Sequence, residues 1–413
     1  MYKTLYANKR EELLDHPDFT MLGRTGKSWA VPEPYEMIPL PQGASLVLVP
    51  HCMPVGMRFG AELSYIDIDS STGETAYAVA ALLPQGFTRT YLPAGVSRRE
   101  KAEIPLLGYA AVGFKDGKIF TAAVQTDEHR KWHPRYYNTS GLDTRINRML
   151  NKFPQNRIYR QLAYCSAEYS CFTAQNIFYR RWEGGIPTTP RCNADCVACI
   201  SQNHASPQQR LSFKPSCGEI VQAGSNHLTQ ARDGIISFGQ GCEGDPALNA
   251  NDLSEAVRGI RAVTDAGCIN MNTNAGYTAG IEAVCDAGVD SLRITIFSAL
   301  EENYNIYHRP RGYSWADVLR SIDYAKDKGV SVSVNLLTFP GFTDQAAETE
   351  AWLSFIKRHD IDMLQLRNLN IDPDFLTGLF SYNEAALGIP EFIQTVQTEI
   401  PHLTVASYTH PLR

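Results

Sequence analysis

The sequence predicts an α/β fold in which a parallel sheet or barrel follows a β-rich N-terminal domain. Two observations carry this prediction. From Ile186 onward, short apolar runs alternate six times with helix-length segments, and residues 1–125 contain several apolar runs of strand length. Regular alternation of strands and helices is typical of parallel α/β sheets. With 413 residues, 44% of them hydrophobic and 20% charged, the chain is long enough to build two cores.

The N-terminal elements are predicted to be strands. Residues 44–50 and 74–83 are apolar runs, and two further runs flank the turn Lys115–Lys118. The Asp-Gly pair in this turn is typical of a tight β-hairpin. Residues 1–125 are therefore predicted to form a β-rich domain, and a basic, partly helical linker follows over 126–185.

The predicted α/β core spans 186–371 and leaves 372–413 as a C-terminal extension. Its strands are expected at 186–190, 234–241, 268–276, 291–298, 330–340 and 363–371. Helices are expected between them at 218–232, 252–266, 278–287, 315–328 and 346–359. Glycines that follow three of these helices, in Asp-Ala-Gly and Asp-Lys-Gly, are typical helix ends.

One face of the predicted sheet is polar, which is unusual for buried parallel strands. The side chains of this parity are Asn270, Asn272, Asn274, Arg293, Thr295, Ser331, Ser333, Asn335, Gln365 and Arg367. They predict either a wet cavity inside a curved sheet or layers of satisfied hydrogen bonds inside a closed barrel. We favour the cavity, because closed barrel interiors are mostly filled by branched apolar side chains.

Three cysteines cluster just past the first predicted strand. Cys192, Cys196 and Cys199 are spaced CX3CX2C, at the end of the sheet where α/β folds build active sites. Ten cysteines are few for a disulfide scaffold of this length, so the cluster indicates metal chemistry. One possibility is an iron–sulfur cube held by three thiolates, which leaves one iron open to a ligand. The other is a zinc site completed by His204.

The cysteine spacing and position, together with the glycine-rich acidic segment Gly239–Pro246 after the second strand, resemble the radical S-adenosylmethionine (SAM) superfamily. The resemblance covers residues 185–371 and implies a partial (β/α)6 TIM-like barrel, a [4Fe–4S] cluster and SAM. It implies an oxygen-sensitive enzyme that cleaves SAM reductively, with electrons from a donor such as flavodoxin or ferredoxin. The resulting 5′-deoxyadenosyl radical would abstract hydrogen from a substrate.

The resemblance also implies roles for particular residues. Cys192, Cys196 and Cys199 would hold the cluster, and Glu243 with neighbouring carbonyls would accept from the SAM ammonium group. Cys242 is the candidate for a catalytic thiol. The position before the last cysteine, often aromatic in the family, is Ala198. The residues expected to contact SAM are Gly241, Glu243, Gly244, Asn272, Asn274, Arg293, Thr295 and Asn335.

Charge and hydropathy limit the remaining functions. A net charge of −6 gives no global argument for nucleic acid, although basic and aromatic residues interleave over 128–160. No run approaches the roughly 18 apolar residues that a membrane span needs, so we expect a cytoplasmic protein with no membrane partner.

The sequence leaves the substrate open between a peptide or protein and a small molecule. Two alternatives to the leading hypothesis remain. The first is an RNA-modifying radical SAM enzyme, which would grip RNA with Arg130, Lys131, Trp132, Arg135 and Tyr136. The second is a non-catalytic zinc-binding interaction protein that uses Cys192, Cys196, Cys199 and His204.

Overall fold

A computed structural model describes residues 1–58, 62–69, 72–98, 107–127, 132–133, 135, 137–202, 209–381 and 386–412. Antiparallel strands form the N-terminal part, three helices follow, and a parallel sheet flanked by helices completes the fold. None of the helices in these ranges has the length and hydropathy that a membrane-spanning segment requires.

The N-terminal part is rich in β-strands, as predicted. The hairpin around Asp116 and Gly117 is confirmed, because both residues have positive φ and the flanking strands pair up to Lys115 opposite Lys118. The strands are β1 Lys3–Ala7, β2 Leu13–Met21, β3 Gly23–Thr25, β4 Ser28–Ala30, β5 Met37–Pro39, β6 Ser45–Leu48, β7 Cys52–Arg58, β8 Glu62–Tyr65, β9 Tyr77–Leu82, β10 Phe87–Arg89, β11 Leu92–Pro93, β12 Gly95–Ser97, β13 Tyr109–Ala110, β14 Val112–Lys115 and β15 Lys118–Gln125.

Three helices occupy the predicted linker, namely α1 Leu142–Lys152, α2 Arg157–Glu168 and α3 Phe172–Tyr179. Asn156 caps α2 by accepting a hydrogen bond from the backbone N–H of Ile158. Buried side chains of all three helices belong to the same apolar core as the parallel sheet. These helices therefore pack as part of the α/β unit.

The α/β unit contains seven parallel strands in sequence order. They are β16 Glu183–Gly185, β17 Ile235–Phe238, β18 Cys268–Thr273, β19 Ser291–Ile296, β20 Ser331–Thr338, β21 Met363–Asn368 and β22 Thr404–Ala406. The helices are α4 Cys217–Leu228, α5 Ala250–Val263, α6 Thr278–Asp286, α7 Glu301–His308, α8 Trp315–Asp327, α9 Ala346–Arg358, α10 Pro373–Leu379 and α11 Ile389–Glu399.

The parallel sheet curls into a partial barrel. Arg293 on β19 lies 3.6 Å from Glu183 on β16, three strands away along the sheet, and donates a hydrogen bond to Thr409 beyond β22. A flat sheet could not bring these side chains together, because neighbouring strands are about 4.8 Å apart. The predicted barrel-like fold class is confirmed.

Three features of the α/β unit differ from the prediction. The first strand is Glu183–Gly185 rather than 186–190, although the N–H of Ile186 still bonds to Ser237 on β17. Two prolines within 186–190 remove backbone donors, which disfavours a strand there. The strand β22 pairs with β21 beyond the predicted core limit at 371, and α7 was not predicted.

The N-terminal part contacts the barrel at the ends of β20 and β21. Arg89 is buried and donates to the carbonyl oxygens of Tyr109 and Leu369, while its own N–H bonds to Asn368. The N–H of Gly26 bonds to the carbonyl of Pro340. The β-rich part therefore covers one side of the carboxyl edge of the parallel sheet.

Candidate functional site

The three clustered cysteines lie on residues 190–202, called here the cysteine loop. Backbone hydrogen bonds tie this loop to the end of α7, from the N–H of Asp195 to the carbonyl of His308 and from the N–H of Val197 to that of Tyr307. The N–H of Arg311 donates to Asn193 in return. The loop is thus fixed by a segment more than 100 residues away in the chain.

All three thiols of the cysteine loop are partly exposed, and two of them face a nitrogen donor. His308 Nδ1 lies 3.4 Å from Cys196 Sγ, while its Nε2 accepts from the N–H of Phe297. Nδ1 therefore carries the proton and donates to the sulfur. Burial lowers the pKa of His308 to about 3, which keeps the ring neutral. Arg210 Nη2 lies 3.5 Å from Cys199 Sγ.

This donor set fits a cationic iron–sulfur cluster. Burial raises the pKa of Cys196, and the neighbouring thiols Cys192 and Cys199 raise it further, so a positive metal centre would relieve the cost of three adjacent thiolates. Within the described ranges no three His, Cys, Asp or Glu side chains converge closely enough to hold a single metal ion. Cluster thiolates bind separate irons and need no such convergence. His204 lies outside the described residues, so the structure does not test the zinc alternative.

Glu243 links the glycine-rich loop, defined as residues 239–246, to the two threonines just before the cysteine loop. One carboxylate oxygen accepts from Thr188 and Thr189, and the other accepts from the N–H groups of Gly239 and Gln240. Burial raises the pKa of Glu243 to about 7, while these hydrogen bonds favour the charged form. Five protein donors use up the acceptor capacity of the carboxylate. Its predicted contact with the SAM ammonium group stays a prediction.

Gly244 allows the glycine-rich loop to lie directly against the backbone of the cysteine loop. A Cβ at this position would stand 1.8 Å from the carbonyl oxygen of Arg191. The N–H of Gly244 bonds to Thr189, and the N–H of Asp245 bonds to Arg191. The structure therefore supplies a reason for glycine here that is independent of the predicted cofactor contact.

The polar face of the sheet is partly satisfied and partly lines a cavity. Asn272 is adjacent to Arg293 and Thr295 is adjacent to Asn335 in the strand register. Asn335 donates to Thr295, yet Asn335 Oδ1 and Asn272 Nδ2 are buried without a hydrogen-bond partner among the described residues. The amide of Asn274 donates to Asn193, beside Cys192. The structure combines the two alternatives, since hydrogen bonds satisfy part of this face while Arg293 and Arg367 line a cavity.

The cavity has a volume of about 300 Å³ and lies between the barrel interior and the linker helices. Gly241, Cys242 and Arg293 line it, together with Cys165 from α2. The hydrogen bond between the two thiols lowers the pKa of Cys165 to about 7 and raises the pKa of Cys242. The candidate catalytic thiol is therefore paired with a second thiol from a helix far away in the chain.

Trp132 is buried among other aromatic side chains. It is 7% exposed and packs against Tyr137, Trp182 and Tyr408, so little of its ring is available to grip RNA in the RNA-modifying alternative. Arg130, Lys131 and Tyr136 lie outside the described residues, and Arg135 is exposed. Ala198 is buried in an apolar cluster with Phe297.

Sequence reasoning missed three residues that shape the site. His308 and Arg210 face the thiols of Cys196 and Cys199, and Asp245 accepts from Thr273 and the N–H of Asn274 at the end of β18. The Asp-Pro step after Gly244 was a visible signal of a capped turn, and Asp245 does cap the turn that precedes α5. His308 and Arg210 carry no such local signal.

The fold and the site identify the class of protein. It is an α/β protein with a partial parallel barrel and a thiol-bearing loop after the first strand. Residues 186–353 match the family model of the Radical SAM superfamily. This segment therefore belongs to the radical SAM superfamily, whose members are enzymes that use a [4Fe–4S] cluster and SAM. The resemblance inferred from the cysteine and glycine motifs is confirmed.

Relatives and solved structures with detectable similarity cover only part of the chain. Proteins named GTP 3′,8-cyclase from Listeria monocytogenes and Listeria welshimeri are each 29% identical over 184 residues, 43% of this chain and 51% of the relative. The chain thus matches about half the length of these curated relatives. HydG, a maturase of the [FeFe]-hydrogenase, has 14% identity and a TM-score of 0.41 over 66% of this chain and 63% of its own. Methylornithine synthase has 17% identity and a TM-score of 0.39 over 64% and 78%.

Proposed function

We propose that this protein is a radical SAM enzyme that uses the thiols of Cys192, Cys196 and Cys199 to hold a [4Fe–4S] cluster. The bound cluster and SAM would supply a 5′-deoxyadenosyl radical, which abstracts hydrogen from a substrate. The observation that carries the proposal is the cysteine loop itself. It carries three partly exposed cysteines, two of which act electrostatically on the thiol of Cys196, and no fourth cysteine lies on the loop.

The residues around the thiols would tune and orient the cluster ligands. His308 Nδ1–H and Arg210 donate toward Cys196 and Cys199, and such hydrogen bonds stabilise negative charge on sulfur. Glu243 and Asp245 would act as positioning residues, because they fix the glycine-rich loop to the cysteine loop and to β18. The cofactor would then bind to loops that are already held in place at the carboxyl edge of the parallel sheet.

SAM contacts are proposed for the polar barrel face and the glycine-rich loop. Support is strongest for Asn272 and Asn335, since each has a buried amide atom free to bond a ligand. Gly241 and Gly244 would contribute backbone groups. The side chain of Thr295 already has one protein partner, that of Asn274 has two and that of Arg293 has three. These residues would shape the pocket, but they have fewer polar atoms left to bond to SAM.

Cys242 is proposed as a catalytic thiol that faces the substrate. It lines the cavity beside the barrel, and its thiol is paired with Cys165. The raised pKa of Cys242 favours the protonated thiol, which is the form that can donate a hydrogen atom to a carbon radical. Replacing Cys242 by Ser would keep the shape of the side chain and remove this capacity.

The matched relatives support the cofactor chemistry rather than a substrate. Their name indicates that they act on GTP, but the similarity covers only 43% of this chain and 51% of the relative. Radical SAM enzymes generally need an electron donor, and flavodoxin or ferredoxin is proposed for that role. A cytoplasmic location is proposed because reduced clusters and free thiols persist in a reducing compartment.

Anaerobic reconstitution tests the proposal. The protein should bind about four irons per chain, turn brown and, when reduced, release 5′-deoxyadenosine from SAM. A colourless protein with one zinc and no SAM cleavage would support the interaction-module alternative and contradict the enzyme. Tight, salt-sensitive binding of a generic labelled RNA would favour the RNA-modifying alternative, which the buried Trp132 and the net charge of −6 disfavour.

A further inference from the structure

The cavity beside the barrel, called here the arginine cavity, is lined by two guanidinium groups and by one carboxylate, that of Glu183. Arg293 and Arg367 both line it, and Trp132, Phe172 and Ile200 provide apolar walls. None of the three thiols of the cysteine loop lines this cavity, although Ile200 directly follows Cys199. The arginine cavity is therefore next to the cysteine loop and distinct from it.

The two arginines differ in how their charges are compensated. Arg293 faces Glu183 and donates to Gln365 and Thr409, so its charge and its hydrogen bonds have protein partners. The carbonyl of Arg367 accepts from Thr338, but its guanidinium makes no hydrogen bond or ion pair with any residue of the described ranges. Burial lowers the pKa of Arg367 to about 10, and the charge of Arg293 lowers it further.

The two carboxylates whose charges act on Arg367 are already engaged by other groups. Glu183 accepts from Ser237 as well as from Thr409, and Asp127 accepts from His410. Arg367 is half-buried, and a guanidinium partly withdrawn from water gains from pairing with an anion. Arginine matches the two oxygens of a carboxylate or phosphate with parallel hydrogen bonds, which makes these groups the natural partners.

Other unpartnered polar atoms lie around the same space. Gln240 Nε2 is buried without an acceptor and lines the cavity beside Arg367, so a second donor is available to an anionic ligand. Gln85 Oε1 is buried without a donor and could accept from a hydroxyl or amino group. A volume of about 300 Å³ with aromatic walls suits a small molecule.

We infer that the arginine cavity binds the anionic group, a carboxylate or a phosphate, of a small acidic substrate, with Arg367 as its principal partner. This inference rests on the proposed function, because the substrate is the molecule on which the radical would act. Cys242 lies in the same cavity, so a molecule anchored at Arg367 would be held next to the proposed catalytic thiol.

Calorimetric titration of the purified chain with inorganic phosphate and, separately, with succinate tests the anion site. At least one probe should bind saturably, and the stronger probe identifies the oxyanion. Arg367→Gln should weaken that binding about ten-fold or more, since it removes a charge-assisted hydrogen-bonded pair. Arg367→Lys, which keeps the charge but loses the planar fork, should weaken it less and serves as the test if the first variant does not fold.

Arg320→Gln is the matched control, because it removes the same charge from an exposed side chain paired with Asp317. It should leave the binding of both probes unchanged. Absence of saturable binding for both probes, or equal losses in the Arg367 and Arg320 variants, would overturn the inference.

A competition experiment with SAM shows whether the arginine cavity binds the substrate or the cofactor. In the reconstituted wild-type protein, the probe should still bind when SAM is saturating. If SAM displaces the probe, the cavity holds the cofactor carboxylate and the assignment to substrate is wrong. If the probe binds as expected but the reconstituted protein never cleaves SAM, the anion site stands and the proposed function fails.

Discussion

Gly244→Ala gives a direct test of how the glycine-rich loop supports the cysteine loop. The new Cβ would stand 1.8 Å from the carbonyl oxygen of Arg191, whereas real Cβ contacts essentially never fall below 3.0 Å. The two loops must therefore separate by more than 1 Å. Because the obstacle is backbone, no side-chain rotation can relieve the clash.

The cost of this separation follows from the bonds that it breaks. The hydrogen bonds from Gly244 to Thr189 and from Asp245 to Arg191 are 2.7 and 2.8 Å long. Each contributes about 1 kcal/mol, and forced overpacking adds about 1–3 kcal/mol. We expect Gly244→Ala to lower the free energy of unfolding of the apo protein by about 3–5 kcal/mol and to lose most of its iron.

Urea unfolding followed by circular dichroism, with iron analysis after reconstitution, measures both effects. Gly218→Ala is the matched control, because a Cβ there meets nothing within 4 Å and the residue lies in the first turn of α4. It should raise stability by about 0.5–1 kcal/mol and retain iron. The reasoning is refuted if Gly244→Ala unfolds at the wild-type urea concentration with full iron, or if Gly218→Ala loses as much as Gly244→Ala.

Three further predictions concern single side chains. Burial lowers the pKa of His227 to about 4 from an ordinary value near 6.5, so the native state binds fewer protons than the unfolded state. Stability should fall as pH drops through this window, by about 2 kcal/mol between pH 7 and pH 5. Urea unfolding at both pH values should find this loss in the wild type and not in His227→Gln. His308→Gln should lower the cluster reduction potential in an EPR-monitored titration, because Cys196 loses the imidazole N–H donor that its thiolate would receive; an unchanged potential would exclude that role. Alanine at Cys192, Cys196 or Cys199 should abolish iron binding while near-wild-type circular dichroism persists, whereas His204→Ala should keep its iron; loss of iron in the His204 variant would contradict a three-thiol site.

The regular helices of the α/β unit could be predicted because their signals are local. Predicted helices at 315–328 and 346–359 correspond to α8 and α9 within one residue at each end. The capping box of Ser314 and Asp317 marks the start of α8, and Gly329 follows its end. The thiol spacing and the glycine-rich loop were equally visible, since both are short segments.

The remaining features depend on contacts between distant segments. The first strand, Glu183–Gly185, has no apolar run, and it is a strand because its backbone pairs with β17. His308 reaches Cys196 only because the chain after α7 runs beside the cysteine loop. The guanidinium of Arg367 has no partner among the described residues, and this could be recognised only once its neighbours in the fold were known. A single sequence holds none of this information.

With three cysteine ligands, the proposed cluster would have one iron open to SAM. EPR spectroscopy of the reduced, reconstituted protein with and without SAM would detect binding at that iron, because a ligand there alters the electronic structure of the cluster. We predict a clear change in the EPR spectrum on adding SAM to the wild type, and no cluster signal with or without SAM in Cys196→Ala. Identical spectra in a wild-type protein that carries about four irons per chain would contradict the claim, because the cluster would then have no open position for the cofactor.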